Sequence, residues 1–153
     1  MLFRSISEYD TMCTVGNPHI IYLEESKMID FKNASFAKLK PTAFTGALES
    51  SIRPILVDGE QVLGAFQGIR DSVTFTSMRI IALNVQGMTG KKKDFTSLPY
   101  SKIQAFSVET AGVLDLDGEL ELYFSALGMV KFEFAGKVDI SSICKIIGNY
   151  VLR

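Results

Sequence analysis

Two periods of apolar residues divide this chain. From residue 29 to 51 the spacing is helical but interrupted: Phe31, Ser35 and Leu39 fall four apart, Pro41 stops the run, and Phe44, Ala47 and Leu48 begin another. This predicts two short helices or one kinked helix. Arg53-Pro54-Ile55-Leu56-Val57 reads as extended, and Asp58-Gly59-Glu60 as a turn.

Beyond that turn the period becomes two. Strands are expected over residues 61–69, 73–76, 79–85, 93–98, 103–109, 119–124 and 130–134. In the first of these, Gly64 and Gly68 mark a bend or bulge. Val73 and Phe75 share one face of their strand, and Ile81, Leu83 and Val85 one face of the next. Pro99, which has no N–H for a ladder, ends the strand at 93–98. Leu120, Leu122 and Phe124 point inward while Glu119, Glu121 and Tyr123 point out, and Val130, Phe132 and Phe134 repeat the pattern. Asp117-Gly118 reads as a tight-turn pair and Gly128 falls in the next connection. A helix over residues 140–152 closes the chain, with Asp139 as N-cap and a stripe of Ile140, Ile143, Ile147, Tyr150 and Val151 that Cys144 and Ile146 widen. The expected fold is therefore mainly β: about seven antiparallel strands in a barrel of two bent sheets, plugged by a C-terminal α-helix, after a short N-terminal helical segment.

The chain has 153 residues, enough for one domain with a core that needs neither disulfides nor metals. An apolar fraction of 47% is high for a soluble protein, and a net charge of −1 supplies no basic field for nucleic acid. Cys13 and Cys144 form no metal spacing and no disulfide framework, so a reducing, cytoplasmic setting is expected. No apolar run reaches the length of a membrane span, and the first residues lack the apolar centre of a signal peptide. Residues 1–27 have mixed polarity, broken by Gly16-Asn17-Pro18, and Met28 opens the patterned stretch. The expected domain is 28–153, with 1–27 either a loose extension or the result of a start placed too far upstream.

Three blocks carry a resemblance. Arg70-Asp71, Phe75-Thr76 and Arg79-Ile80-Ile81 are followed by Gln86-Gly87-Met88-Thr89-Gly90-Lys91-Lys92 and then by Ser97-Leu98-Pro99-Tyr100-Ser101-Lys102-Ile103. With Phe106-Ser107-Val108-Glu109-Thr110-Ala111-Gly112 and Leu114-Asp115-Leu116-Asp117-Gly118-Glu119-Leu120, this order closely resembles the bacterial pleckstrin-homology domain family from about Phe31 to the C-terminus. It departs at Asn84, where that family usually carries an acidic residue, and at Met78, where a charged one is usual. The resemblance implies a small cytoplasmic, non-enzymatic domain that forms cyclic homo-oligomers. It implies no cofactor and supplies no ligand site.

Candidate chemistry is sparse. Lys91, Lys92 and Lys93 after Gly87 and Gly90 form the obvious anion-binding candidate. They do not make a nucleotide loop: Lys92 stands where a Walker motif needs Ser or Thr, and Val85 where it needs Gly. Short basic runs are more often solvated loops. In the first hairpin Arg70 is offset by Asp71. Asp115 to Glu119 suggests a calcium loop until Leu120 and Ala126 fall where Gly and Glu are required. Arg70 with Asp71, and Arg79, are expected to fix strand ends, and Glu109 and Thr110 likewise. The sole histidine, His19, lies outside the expected domain, which leaves no Ser-His-Asp or Cys-His pair within it; Cys144 reads as a small core residue. The favoured reading is a non-enzymatic binding or scaffolding domain whose partner is itself. Met88, Tyr123 and Met129 are its candidate oligomer contacts, because the alternation turns them outward. The alternative is an anionic ligand, or the headgroups of a membrane surface, held by Lys91, Lys92 and Lys93.

Overall fold

The structure, a computed structural model, describes residues 28–31, 36–110, 117–136 and 138–153. The extension 1–27, with Cys13 and His19, lies outside them. So do Ser35 and residues 111–116, which include the first two residues of the calcium-like sequence and parts of the stretches 106–112 and 114–120.

The chain forms β1 (Lys40–Pro41), α1 (Gly46–Ile52), β2 (Val62–Gln67), β3 (Asp71–Thr76), β4 (Arg79–Gln86), β5 (Lys92–Pro99), β6 (Ala105–Glu109), β7 (Gly118–Phe124), β8 (Gly128–Phe134) and α2 (Ile140–Val151). β1 to β5 make one antiparallel sheet in sequence order, and β6 to β8 a second. The seven expected strands are all present, and β1 is an addition. Gly64 marks the register shift between Val62 and Gly64, as its position suggested. The inner faces of both sheets and one side of α2 enclose the main core, which includes Val73, Phe75, Ile80, Leu98, Leu120, Phe132 and Ile147.

The predicted first helix is the principal correction. Residues 39–41 are extended after a bend at Lys38, and none of residues 36–41 is helical. Leu39 N–H donates to Glu133 O (2.9 Å) and Ala135 N–H to Leu39 O (3.0 Å), so this segment pairs in parallel with the end of β8. One residue later it pairs with β2, Lys40 opposite Gln67 and Pro41 opposite Phe66. Lys38, at φ 54°, supplies the bend that lets Phe36 and Leu39 both bury. Pro41 is tolerated because β1 is an edge strand. The same short segment therefore stitches one sheet to the other. Among the described residues the two sheets otherwise keep separate ladders, so the barrel is not closed by continuous hydrogen bonding.

The second predicted helix exists as α1, followed by a 3-10 turn at Arg53–Ile55 where an extended segment was expected. Proline fits the start of such a turn because its missing N–H has no partner there. α1 explains a feature of β4. Ile81, Leu83 and Val85 do share a face, but it is the face away from the main core. There they pack with Leu48 and Ile52 of α1, while Ile80 and Ala82 face inward. A central strand buried on both sides reads as a continuous apolar run, as Ile80-Ile81-Ala82-Leu83 does.

α2 begins where expected. The Asp139 carboxylate accepts from the Ser142 N–H (3.2 Å) and hydroxyl, which holds its pKa below the usual carboxylate value. Ile140, Ile143 and Ile147 are buried, and Tyr150 stacks on Tyr100 at 4.8 Å between ring centres. Gly118 is not a turn residue. It opens β7, and a Cβ there would lie 3.3 Å from Ile140 Cδ1, so its lack of a side chain admits the start of α2.

Glu60, Thr76 and Arg79 form a polar node at the β3–β4 turn. Arg79 Nε and Nη2 donate to the two Glu60 carboxylate oxygens (3.0 Å each), and the Val57 N–H donates to Oε2 (3.0 Å). The Thr76 hydroxyl lies 2.7 Å from Glu60 Oε1 and accepts from the N–H groups of Met78 and Arg79. Arg79 also reaches Ser97 Oγ (2.7 Å) and the Ile55 carbonyl (2.6 Å). The Glu60 side chain is shielded completely from solvent and that of Arg79 is 20% exposed. Burial by itself would raise the Glu60 pKa; the hydrogen bonds from Arg79, Val57 and Thr76, with the charge of Arg79, outweigh it and hold the value at about 2.

Two predictions follow from this packing. The folded pKa of Glu60 lies below its ordinary value of 4.5, so its stabilisation is complete above pH 4.5 and is lost as pH falls toward 2. Urea titrations across that window should show an acid loss on the order of 2–3 kcal/mol from this group. In Glu60→Gln that component should vanish, with neutral-pH stability lower by about 2–3 kcal/mol because Arg79 loses its counter-charge. An unchanged acid limb would show that another carboxylate is responsible. Secondly, Ile52, the last residue of α1, is fully buried against the outer face of β4. Ile52→Ala should cost about 3 kcal/mol in the same assay, and a cost below about 1 kcal/mol would mean that α1 is not docked on the sheet.

Candidate functional site

The lysine run lies where the sequence placed it, in the β4–β5 hairpin. Gly87 and Gly90 take positive φ (77° and 65°), which turns the chain tightly enough to leave Met88 fully exposed. The three lysines do not converge. Lys91 is in the loop, and Lys92 and Lys93 are consecutive in β5, opposite Gln86 and Val85 in a regular ladder, so the pleat sends them to opposite faces. Lys93 goes to the α1 side, and its Nζ donates to Ser51 Oγ (2.7 Å).

Lys93 there borders a cleft of about 250 Å³ between α1 and the outer face of the five-stranded sheet. Leu48 and Ser51 come from α1, Ser72 from β3, Leu83 and Val85 from β4, and Arg70 from the β2–β3 turn. Register explains the assembly: Gln67, Ser72, Leu83 and Phe95 face one another across four strands, and Val85 opposite Lys93 forms the next row. The Ser72 residue is 3% exposed, and its hydroxyl has no hydrogen-bond partner among the described residues. The sequence reading missed this site. Its one signal was the hydroxyls of Ser72 and Thr74 alternating with Val73 and Phe75, a polar face on a strand that proves to be buried on both sides.

Arg70 and Asp71 each contact a different neighbour. Arg70 Nη1 donates to the Gly87 carbonyl (3.3 Å), tying the two hairpin turns together. Asp71 projects to the inner side of β3, where burial raises its pKa and the hydrogen bond from the Asn84 amide opposes the rise. An acidic residue at position 84 would confront Asp71 directly, so the amide is the compatible choice here. Glu109 and Thr110 are exposed at the end of β6. Cys144 is half-buried on α2.

On the second sheet the register brings together residues far apart in sequence. Ala105, Tyr123 and Met129 stand opposite one another on β6, β7 and β8, all facing away from the core. Tyr123 is 40% and Met129 43% exposed. The next rows are polar: Ser107, Glu121 and Lys131, then Glu109, Glu119 and Glu133, with Lys131 Nζ 2.8 Å from Glu119 and 3.5 Å from Glu133. Met88 does not join this patch, because it belongs to a hairpin of the other sheet.

Among the described residues no group of three or more His, Cys, Asp or Glu side chains could hold a metal ion. Nor is any helix among them long and apolar enough to cross a membrane.

Comparison with known proteins places these features in a family. The chain is 43% identical over 108 residues to the uncharacterized protein YjqA of Bacillus subtilis, covering 69% of this chain and 86% of the relative. A second B. subtilis protein, the uncharacterized YozO, is 30% identical over 100 residues, covering 65% and 86%. Among solved structures, a DUF1696 family protein with a pleckstrin-homology domain from Shewanella loihica matches with TM-score 0.65 and 36% identity, over 75% of this chain and 98% of that one. A pleckstrin-homology domain from Shewanella amazonensis matches with TM-score 0.57 and 38% identity, over 79% and 94%. The family model described as bacterial PH domain matches residues 30–151, from just before the stitching segment to the last turn of α2. On sequence, topology and terminal helix alike, this chain belongs to the bacterial pleckstrin-homology domain family.

Proposed function

We propose that this domain is a non-enzymatic, cytoplasmic binding and scaffolding module whose principal partner is a second copy of itself. The observation that supports this reading is the row of Ala105, Tyr123 and Met129 across the outer face of the three-stranded sheet. An aromatic ring and a methionine held side by side on a rigid sheet, with charged rows beyond them, have the make-up of an interface centre with a polar rim. Met88, fully exposed on the other sheet, offers a second and different apolar contact. Two unlike patches on one protomer are what a head-to-tail contact requires, and such contacts close into rings when the rotation allows.

The anionic-ligand or membrane-surface reading through Lys91, Lys92 and Lys93 has weaker support, since the strand pleat separates Lys92 from Lys93. Of the three, Lys93 is the one that reaches the cleft.

Light scattering at about 10 µM should give a mass that is a multiple of the 16.9 kDa chain. The double variant Tyr123→Glu/Met129→Glu should move to the single-chain mass with its melting temperature little changed, because both side chains are surface groups. A wild-type mass of one chain would overturn the proposal. In co-sedimentation with phosphatidylglycerol vesicles the wild type should stay in the supernatant. Pelleting that the triple Lys91→Glu/Lys92→Glu/Lys93→Glu variant abolishes would instead favour the membrane reading.

A further inference from the structure

The cleft beneath α1 is built from residues that the assembly reading does not use. Its walls are apolar at Leu48, Leu83 and Val85, while Lys93 and Arg70 supply two cationic groups. Asp71 also lines the cleft, and its carboxylate accepts a hydrogen bond from the Asn84 amide. The Lys93 ammonium uses one of its three donors on Ser51. Ser72, also lining the cleft, carries a hydroxyl that is buried and has no partner among the described residues. A buried polar group left unsatisfied costs about 1–3 kcal/mol, and a site that accepts a ligand atom is one physical reason for retaining it. Among the described residues the hydroxyls of Thr74 and Thr96 are unpartnered as well, but neither lines this cleft.

We propose that the cleft between α1 and the outer face of β3 and β4 binds a small amphipathic anion. The anionic group, a carboxylate or a phosphate monoester, pairs with Lys93 and Arg70. A short apolar body lies against Leu48, Leu83 and Val85, and a polar atom of the ligand hydrogen-bonds with the Ser72 hydroxyl. The volume of about 250 Å³ falls just below the usual range for small-molecule sites, so the ligand has a few carbons and not a long chain. The site lies on the side of the sheet that faces away from the barrel interior, and α1 forms one of its walls.

The test uses the full chain, with the methyl groups of Leu48, Leu83 and Val85 observed by NMR. Hexanoate and hexyl phosphate are the anionic probes, hexylammonium and inorganic phosphate the controls, and phosphatidylglycerol vesicles the membrane arm. At least one anionic probe should shift these methyls saturably below about 10 mM, more tightly than either control. Ser72→Ala and Lys93→Gln should each weaken that binding about fivefold or more. Ser72→Ala should not lower the melting temperature, because the buried hydroxyl it removes has no partner among the described residues to lose. The proposal is overturned if neither anion shifts the methyls, if hexylammonium or inorganic phosphate binds equally well, or if both variants bind like wild type. Shifts seen only with vesicles would overturn it in favour of a membrane surface. Light scattering on the same samples reads self-association separately, so either proposal can fail without the other.

Discussion

The ion pair between Glu60 and Arg79 is the constraint that most of the five-stranded sheet depends on. Arg79 opens β4, and its guanidinium spans from the carbonyl of Ile55 to the hydroxyl of Ser97 on β5, so one side chain fixes three segments at once. Glu60 orients that guanidinium from the turn before β2. Thr76 completes the node from the end of β3, and its carbonyl accepts from the Tyr100 hydroxyl at 2.9 Å. Burial raises the Tyr100 pKa strongly, with Tyr150 and then Glu60 adding to the rise, so the phenol remains a donor. Tyr100 in turn stacks on Tyr150 of α2. A single chain of charge-assisted and neutral contacts thus runs from the turn after α1 to the last helix. Such a network is stabilising only while every member is satisfied, which is why loss of the carboxylate matters more than loss of any surface pair.

This node also bears on the cleft. The 3-10 turn that follows α1 ends at Ile55, whose carbonyl is held by Arg79, and Ile52 anchors the helix to the outer face of β4. α1 is only seven residues long and its N-cap residue, Thr45, makes no side-chain capping bond. A helix that short owes its position to packing and to the connection that follows it, not to intrinsic propensity. The wall of the cleft is therefore held near its C-terminal end, by the Lys93–Ser51 hydrogen bond at the cleft and by the Arg79–Ile55 contact beyond it.

How much of this was legible in the sequence depends on the range of the interactions involved. The strands after residue 60 could be read because their pairing is mostly between neighbours in sequence and alternation shows directly. α2 could be read because its cap and its stripe are local. The segment 36–41 could not. Its geometry is set by β8, nearly a hundred residues later, and by a left-handed turn at Lys38, while the four-residue spacing of Phe31, Ser35 and Leu39 imitates a helix. The face shared by Ile81, Leu83 and Val85 was identified, but alternation does not say which face meets which layer when both are buried. Gly118 was misread for a related reason, since its constraint comes from Ile140 across the core.

The candidate sites show the same contrast between adjacency in sequence and adjacency in space. Lys91, Lys92 and Lys93 look like one feature because they are contiguous, and a β-strand is the structure that most effectively separates contiguous residues. Ala105, Tyr123 and Met129 look like nothing in the sequence, and antiparallel register places them in one row. Ser72 and Lys93 come to line one cleft by the same mechanism, through two strands and a helix that no local pattern connects. In a fold whose interior is filled by its own side chains, recognition has to be built on outer faces. On those faces it is the ladder, not the sequence motif, that decides which residues act together.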